Sequence, residues 1–565
     1  MKKIYLIGAV VATMGLVSCD DTVTKEPLDV FANNSEYWSN TVNLENQCNR
    51  LYELYYGYGN GAGTNSWFYF KSLSDDQANA TFDTWTYTNV PSESPTWASA
   101  WAQLRGIGYI TDGLKMSSLD AETKKYYEGV ARLNRAWQYY QLVRMYGDVP
   151  WVNKALDPND EIVYGGREDR DVVMDSVLAD LNFANAVISG TSKTVWNKGM
   201  VNAMKAEICL YEGTFSKYRT QADNGKAPNT DRANKYLNEC VNACNEVFNL
   251  GYSLNASYQG NYNSDELASN PEMIFFKDYK VDIFMHSLIS YTCSSSNQYG
   301  ITKDAFDSFL FLDGKPLATT TMDKSDAAEM EGNKVSIKKV LANRDKRLSA
   351  IVDPYLGFKG HSHVRGDVQD APNMTSVTGY TIGKFDDPAK YALINRDQNN
   401  KNYSDAPVFW LAPVYLAYAE AKAELGTINQ GDLDKTINKL QARAGLPAMT
   451  TKPIADPNND MCVGNDLLWE IRRCRRCELM LDNWSRYWDL IRWHQLDKLD
   501  TNKNPDILLG ANVGNIPNLE VDVNADGYIM TAKGMSRTYS AKHYLYPIPS
   551  GQITLNPNLG QNPGW

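Results

Sequence analysis

Trp67 and Trp85 stand in polar sequence, Gly63-Thr-Asn-Ser-Trp67 and Ala80-Thr-Phe-Asp-Thr-Trp85-Thr-Tyr-Thr, with no helix or strand pattern to bury their rings. Between them runs Ser74-Asp75-Asp76-Gln77-Ala78-Asn79, a row of hydrogen-bonding side chains. Flat aromatic surface beside such groups suits non-covalent capture of a sugar, which offers a ring face of C–H groups and a rim of hydroxyls. At about 25 cal/mol per Å2, covering one sugar face of roughly 70 Å2 is worth about 2 kcal/mol. Two or three such platforms, less the cost of ordering the ligand, predict dissociation constants between about 1 μM and 1 mM. Trp85 and then Trp67 are the candidate platforms, with Asp75 and Asp76 as hydrogen-bonding partners. Arg365, in Gly360-His-Ser-His-Val-Arg365-Gly-Asp367, is a candidate hydroxyl ligand.

Other chemistries are less well supplied. His361 and His363 lack recognisable partner ligands and read as solvated loop residues. Asp522-Val-Asn524-Ala-Asp526-Gly527 begins like a calcium loop, with oxygen ligands at alternate positions, but the twelfth position holds Lys533 where an EF-hand needs an acid. A partial structural calcium site at Asp522, Asn524 and Asp526 and a plain hairpin turn are the two readings. Cys474-Arg-Arg-Cys477 has no second pair at zinc-finger spacing, so zinc is rejected. It and Cys240/Cys244 read as small apolar groups packed on helices. There is no His-Glu-x-x-His, no Gly-x-Ser-x-Gly and no phosphate loop. A glycoside hydrolase would need two carboxylates about 5 to 10 Å apart, and no motif marks such a pair. No catalytic residue is assigned.

The 565 residues carry a formal net charge of −11 and include 14 Trp, 35 Tyr and 16 Phe. An acidic chain is repelled by nucleic acid, which leaves a neutral ligand or a protein as the expected partner. Met1-Lys2-Lys3 precedes an apolar run, Ile4 to Val17, with the layout of a secretory signal and too short to span a bilayer. Leu16-Val17-Ser18-Cys19 resembles the bacterial lipoprotein box, in which the cysteine is acylated and becomes the first residue of the mature chain. An ordinary signal peptide is the alternative. Asp20-Asp21 resembles the surface-export signal of Bacteroidetes lipoproteins. The expected division is a signal over 1–18, a lipid-anchored tether over 19–34, and helical and loop-rich regions over 35–255 and 256–565.

The elements that must hold the candidate residues are mostly helices. Capping residues, apolar spacing and Gly/Pro stops predict helices over 35–56, 95–116, 120–147, 168–188, 198–218, 231–250, 408–425, 432–444 and 465–494. In the third, Val130, Leu133, Trp137 and Tyr140 form one apolar face. Trp101, Trp137, Trp488 and Trp493 fall in helix patterns and read as core. Helices of this length recurring in pairs suggest tetratricopeptide-like stacking. The segment 251–405 reads as loops and short strands, where a rigid frame would carry its binding surface.

Several motifs in fixed order give the chain a family resemblance. They are Arg135-Ala-Trp-Gln-Tyr-Tyr-Gln-Leu-Val-Arg-Met-Tyr-Gly-Asp-Val-Pro150, Asn343-Arg-Asp-Lys-Arg-Leu348, and Tyr418-Ala-Glu-Ala-Lys-Ala-Glu424 followed by Gln441-Ala-Arg-Ala-Gly-Leu-Pro447. Then come Arg476-Cys-Glu-Leu, Trp488-Asp-Leu-Ile-Arg-Trp493, Tyr546-Pro-Ile-Pro549 and Gln561-Asn-Pro-Gly-Trp565. Together, behind a lipoprotein box, they resemble the SusD/RagB family of nutrient-capturing outer-membrane lipoproteins of Bacteroidetes. Lys346 stands where that family usually has proline, and Asn483 where glycine is frequent.

The resemblance implies a mainly α fold, about four tetratricopeptide-like helix pairs packed against a loop-rich part with a few short strands. It implies a non-catalytic lipoprotein facing the cell exterior that hands oligosaccharides to a SusC-like TonB-dependent barrel. A peptide-capturing RagB-like role is the alternative. It also points to further platforms after the Pro271-Glu-Met-Ile-Phe275 strand, here Tyr279, Phe284, His286, Tyr291 and Tyr299. That segment has no Trp, which departs from a starch-type tryptophan arc.

Overall fold

The computed structural model describes residues 33–565 apart from 71–72, 80, 295–297, 366–372, 388, 390–397 and 483–484. The expected signal segment, the lipid-bearing Cys19 and nearly all of the tether lie outside the described residues.

Five long helices fill the first half: Pro95–Met116 (α1), Ala121–Tyr146 (α2), Arg170–Val187 (α3), Lys198–Tyr218 (α4) and Thr230–Asn249 (α5). Their starts follow side-chain caps that satisfy otherwise unpaired backbone N–H groups. Ser94 accepts from Trp97 N ahead of Pro95, Asp120 from Thr123 N, Asn197 from Met200 N and Asn229 from Arg232 N. In α2 the predicted face of Val130, Leu133, Trp137 and Tyr140 is at most 2% exposed. On that face Trp137 meets Tyr55 and Phe409 and Tyr140 meets Tyr211 of α4, while α2 as a whole packs against α1 and α3 and Arg135 adds a two-pronged ion pair to Asp180 of α3 at 2.7 Å. Helices α4 and α5 run in close contact because position 213 is glycine. A Cβ there would sit 2.8 Å from Leu237 Cγ.

The chain returns to this frame late. Leu411–Glu424 (α6) packs against α4 and α5, and Asp466–Glu478 (α7) packs on α6. Arg486–Arg492 (α8) then lies against α4. The sheets are small, as expected: Met273–Lys277 pairs antiparallel with Ala406–Trp410, and the others have two or three short strands. The architecture is mainly helical, with a loop-rich part between α5 and α6.

Three predicted helices are shorter or broken. The stretch 35–56 is Ser35–Trp38, then Thr41–Asn49, then a 3-10 turn over Arg50–Leu54, because Asn40 ends one helix and caps the next at Val42 N and Asn43 N. The segment 432–444 divides at Thr436 into Gln430–Lys435 and Ile437–Arg443. The helix predicted over 465–494 stops at Glu478, and Leu481 takes φ +69 before α8 begins. Cys240, Cys244, Cys474 and Cys477 are buried as free thiols.

Helix α7 is also a charged spine. Arg472 reaches Glu424, Arg473 reaches Asp456 and Glu470, Arg475 reaches Asp489, and Arg476 reaches Asp76 and Asp304. All four arginine side chains are at most 10% exposed. Buried charges in such numbers are tolerable only with partners, so this network ties loops from both halves of the chain to one helix.

Candidate functional site

Three clefts of about 510 Å3 each open on the surface. One lies beside α7 and is lined by charges already committed to one another, among them Lys303 with Asp307 and Asp506 and Lys498 with Asp304. A second is mostly apolar, between α1 and the C-terminal segment around Leu555. The third gathers Tyr56, Trp67, Phe70, Tyr299, Trp488 and Tyr546 around a rim of Thr64, Asn65, Ser66 and Thr86, with Arg144 among its lining. It sets these rings beside hydroxyl and amide groups, with no carboxylate among its described lining residues.

Its wall is built by the loop from Gly57 to Trp67. The loop doubles back so that Trp67 N donates to Gly57 O at 2.9 Å and Ser66 Oγ donates to the same carbonyl at 3.1 Å. Glycines at 57, 59 and 61 take φ of +55, +94 and +63, values that side chains resist. At Gly59 a Cβ would lie 2.4 Å from Asn65 O. Gly59→Ala is therefore expected to cost roughly 1–3 kcal/mol of stability. An unchanged denaturation midpoint would contradict this geometry.

Trp67 stands edge-on to Tyr55 at 6.2 Å and to Tyr56 at 6.3 Å, and tilts against Trp137 of α2 at 5.8 Å. The half-buried indole is thus fixed from behind. Tyr56 is 45% exposed. Trp488 of α8 is half-buried, with Tyr487 edge-on to it at 5.0 Å and Tyr546 tilted at 6.5 Å. Burial pushes the phenols of Tyr487 and Tyr546 upward, so both are uncharged hydrogen-bonding groups at neutral pH.

The loop rests on the segment 279–287. Tyr279 Oη donates to Gly59 O at 2.6 Å, Gly61 N donates to Met285 O at 2.8 Å, and Ser287 Oγ donates to Gly61 O at 2.7 Å. His286 is buried between Tyr58 and Tyr279. Its Nδ1 accepts from Leu288 N at 3.2 Å and its Nε2–H donates to Ser404 O at 3.0 Å, which fixes the neutral tautomer. Burial pulls its pKa from 6.5 to about 3, with the Ser404 bond acting in the opposite direction. Above pH 6.5 neither folded nor unfolded chain protonates this ring, and its contribution is full. As pH falls from 6.5 towards about 3 the unfolded chain takes up the proton first, so stability declines by about 1.4 kcal/mol per unit. Denaturation at pH 5 against pH 7.5 is expected to show a loss of about 2 kcal/mol from this residue. Asp405 and Asp482, whose carboxyls burial raises to about 6, shift the total the other way, so the loss is read against His286→Gln, and equal changes in parent and variant would contradict it.

The residues proposed from sequence divide sharply. Trp67 and Tyr299 line the cleft, and His286 is buried beneath its loop. Tyr291 stands edge-on to Phe70 at 5.1 Å, one ring behind the cleft wall. Tyr279 and Phe284 stack on each other at 4.8 Å beneath the glycine loop, so they support it and do not line the cleft.

Trp85, expected to be an open platform, is 8% exposed. It stacks on His543 at 3.9 Å and donates from Nε1 to Thr538 O at 2.8 Å, and both partners come from the C-terminal segment. Asp75 and Asp76 are also buried, paired with Arg486 and Arg476. Arg365 is buried and donates to Asp353, Asp386 and Ile382 O, so its hydrogen-bonding capacity is spent within the fold. His363, expected in solvent, is buried against Asp353 at 3.2 Å.

The hairpin around Asp522, Asn524 and Asp526 uses its oxygens locally. Asn524 Oδ1 accepts from Asp526 N and Tyr528 N, and Asp522 pairs with Lys533 at 2.7 Å. Among the described residues no group of three acidic, His or Cys side chains converges as a metal site. These bonds support the turn reading.

Tyr56, Trp488, Tyr546 and Arg144 were not anticipated as site residues, and Trp488 was assigned to the core. The one available signal was Tyr56 beside Gly57, at the mouth of a glycine-rich loop.

Comparison with known proteins agrees with this architecture. Residues 245–565 match the SusD family model, and residues 47–223 match a model described as starch-binding associating with outer membrane. SusD-like protein P2 of Formosa agariphila is 22% identical over 442 residues, covering 76% of this chain and 72% of that protein. A crystal structure of a SusD-like carbohydrate binding protein from Bacteroides fragilis superposes with a TM-score of 0.70 at 20% identity, over 93% of this chain and 99% of that one. A laminarin binding SusD-like protein superposes with a TM-score of 0.56 at 17% identity, over 93% and 100% of the two chains.

Proposed function

The chain belongs to the SusD family, and on that premise we propose that it is a non-catalytic binder that captures oligosaccharides in the cleft walled by Trp67, Tyr56 and Trp488. The observation that carries this reading is the concentration of partly exposed rings beside Thr64, Asn65, Ser66 and Thr86. Such rings cover C–H faces while the rim exchanges hydrogen bonds with hydroxyls. Among the described lining residues there is no Asp or Glu, which supports holding a glycan rather than hydrolysing it.

In this proposal Cys19 carries the lipid, the protein faces outward from the outer membrane, and the cargo passes to a SusC-like TonB-dependent barrel. Weak affinity suits that transfer, and the outer-membrane description of one matching family model supports the location. Titration calorimetry of the purified chain against neutral and acidic polysaccharides is the test. Saturable binding without product formation supports capture. Release of shorter sugars by the pure protein would favour a hydrolase, and binding of peptides with no glycan bound would favour the RagB-like alternative.

A further inference from the structure

The buried arginines of this protein are almost all answered. Arg170 meets Glu212, Arg219 meets Asp171, Arg347 meets Asp345 and Glu478, and Arg492 meets Glu420. Among the described residues Arg344 and Arg537 have no carboxylate within 4 Å, but each donates to two backbone carbonyls, Phe306 and Phe309 for the first and Leu499 and Asp83 for the second.

Arg144 is different. It is 94% buried, at 6% exposure, and it lines the aromatic cleft. Its Nη2 donates to Gln141 Oε1, while the buried Nε and Nη1 have no acceptor among the described residues. No carboxylate among the described residues lies within ion-pair distance of it, and none lines the cleft. The guanidinium is held by ring faces instead, its Cζ 4.3 Å from the Trp488 centroid and 4.8 Å from that of Tyr140. Stacking satisfies the face of the ion and leaves its N–H edge unanswered. A buried charge without an acceptor is costly to keep, and an oxyanion is the partner its planar donors fit best.

We infer that the cleft selects glycans bearing an oxyanion, a uronic-acid carboxylate or a sulfate ester, with Arg144 as the residue that reads the charge. This rests on the capture function proposed above and narrows its ligand. The anion sits beside Trp488 while neutral sugar faces cover Trp67 and Tyr56. In a chain of net charge −11, a cleft whose one charged residue among the described lining is an arginine is a local positive site on a surface that otherwise repels such ligands.

The test is a calorimetric screen of the full chain with pectate, alginate and chondroitin sulfate beside neutral xyloglucan, laminarin and starch. Each anionic polymer that binds is measured again after carboxyl reduction or desulfation, which needs no variant and separates the two anion sources. Binding to at least one anionic polymer, weakened tenfold or more by removing its charge and likewise by Arg144→Gln, is the expected result. Binding confined to neutral polymers, or anionic binding indifferent to charge removal, would overturn the inference and leave glycan capture intact. No binding to any glycan would overturn both.

Discussion

Trp67→Ala is expected to weaken glycan binding about 30-fold, which takes a dissociation constant of about 1 μM to about 30 μM, read by calorimetry. One covered sugar face is worth about 2 kcal/mol, and about 1.4 kcal/mol is a factor of ten. The loss should exceed that of a simple surface ring, because Trp67 is fixed by Tyr55, Tyr56 and Trp137 and binds without first being ordered. Tyr56→Ala, at a position already 45% exposed, should lower affinity about tenfold with an unchanged unfolding midpoint. Trp85→Ala makes the contrast. Its indole is covered by His543, so that variant should lose stability by about 3–5 kcal/mol and bind normally at temperatures where it stays folded.

The second large effect concerns Asp75. Its carboxylate receives Arg486 through two nitrogens, at 2.7 and 2.5 Å, and Arg476 at 3.3 Å, with all three side chains at most 10% exposed. Asp75→Ala leaves the Arg486 charge buried with its main partner gone, and the expected cost is about 3–5 kcal/mol, read from the shift in denaturant midpoint. Burial alone would raise the carboxyl pKa, but Arg476 and Arg486 outweigh it and hold the group well below the usual carboxylate range. Its stabilising contribution is therefore present above the unfolded-state value near pH 4 and is lost as pH falls further below it. A variant as stable as the parent at pH 7 would show that the pair is dispensable. The loop after Asp75 pairs through Gln77 and Ala78 with Gly300 and Ile301, beside the cleft residue Tyr299, so unfolding here reaches the cleft wall.

Most of the scaffold was legible because helix signals are local. Caps at Ser94 and Asp120 and the face from Val130 to Tyr140 each depend on residues within a few turns. Breaks inside helices were harder to see. Asn40 is a cap in mid-pattern, and Leu481 adopts a left-handed conformation that no turn residue announces.

The cleft was legible only in part, because polar neighbours along the chain do not report what covers a ring. Trp67 and Trp85 sit in similar sequence, yet Trp85 is capped by residues some 450 positions downstream, at Thr538 and His543. Asp75 and Asp76 likewise find arginines about 400 positions away. Trp488 reads as core from sequence because it falls in a helix pattern, and Leu490 and Ile491 beside it are indeed buried. On a helix as short as Arg486–Arg492 the ring at 488 is left at the edge. Arg144 lay within the motif that carried the resemblance, and only its missing acceptor, a feature of three-dimensional packing, distinguishes it from Arg135.

A crystal structure of the protein with a bound oligosaccharide, chosen from whichever polymer binds in the calorimetric screen, tests the central claim most directly. A sugar ring packed on Trp67 with its hydroxyls at the Thr64–Ser66 rim is the predicted result. Density for the ligand in the charged cleft beside α7 or the apolar cleft beside Leu555, with Trp67 uncovered, would contradict it.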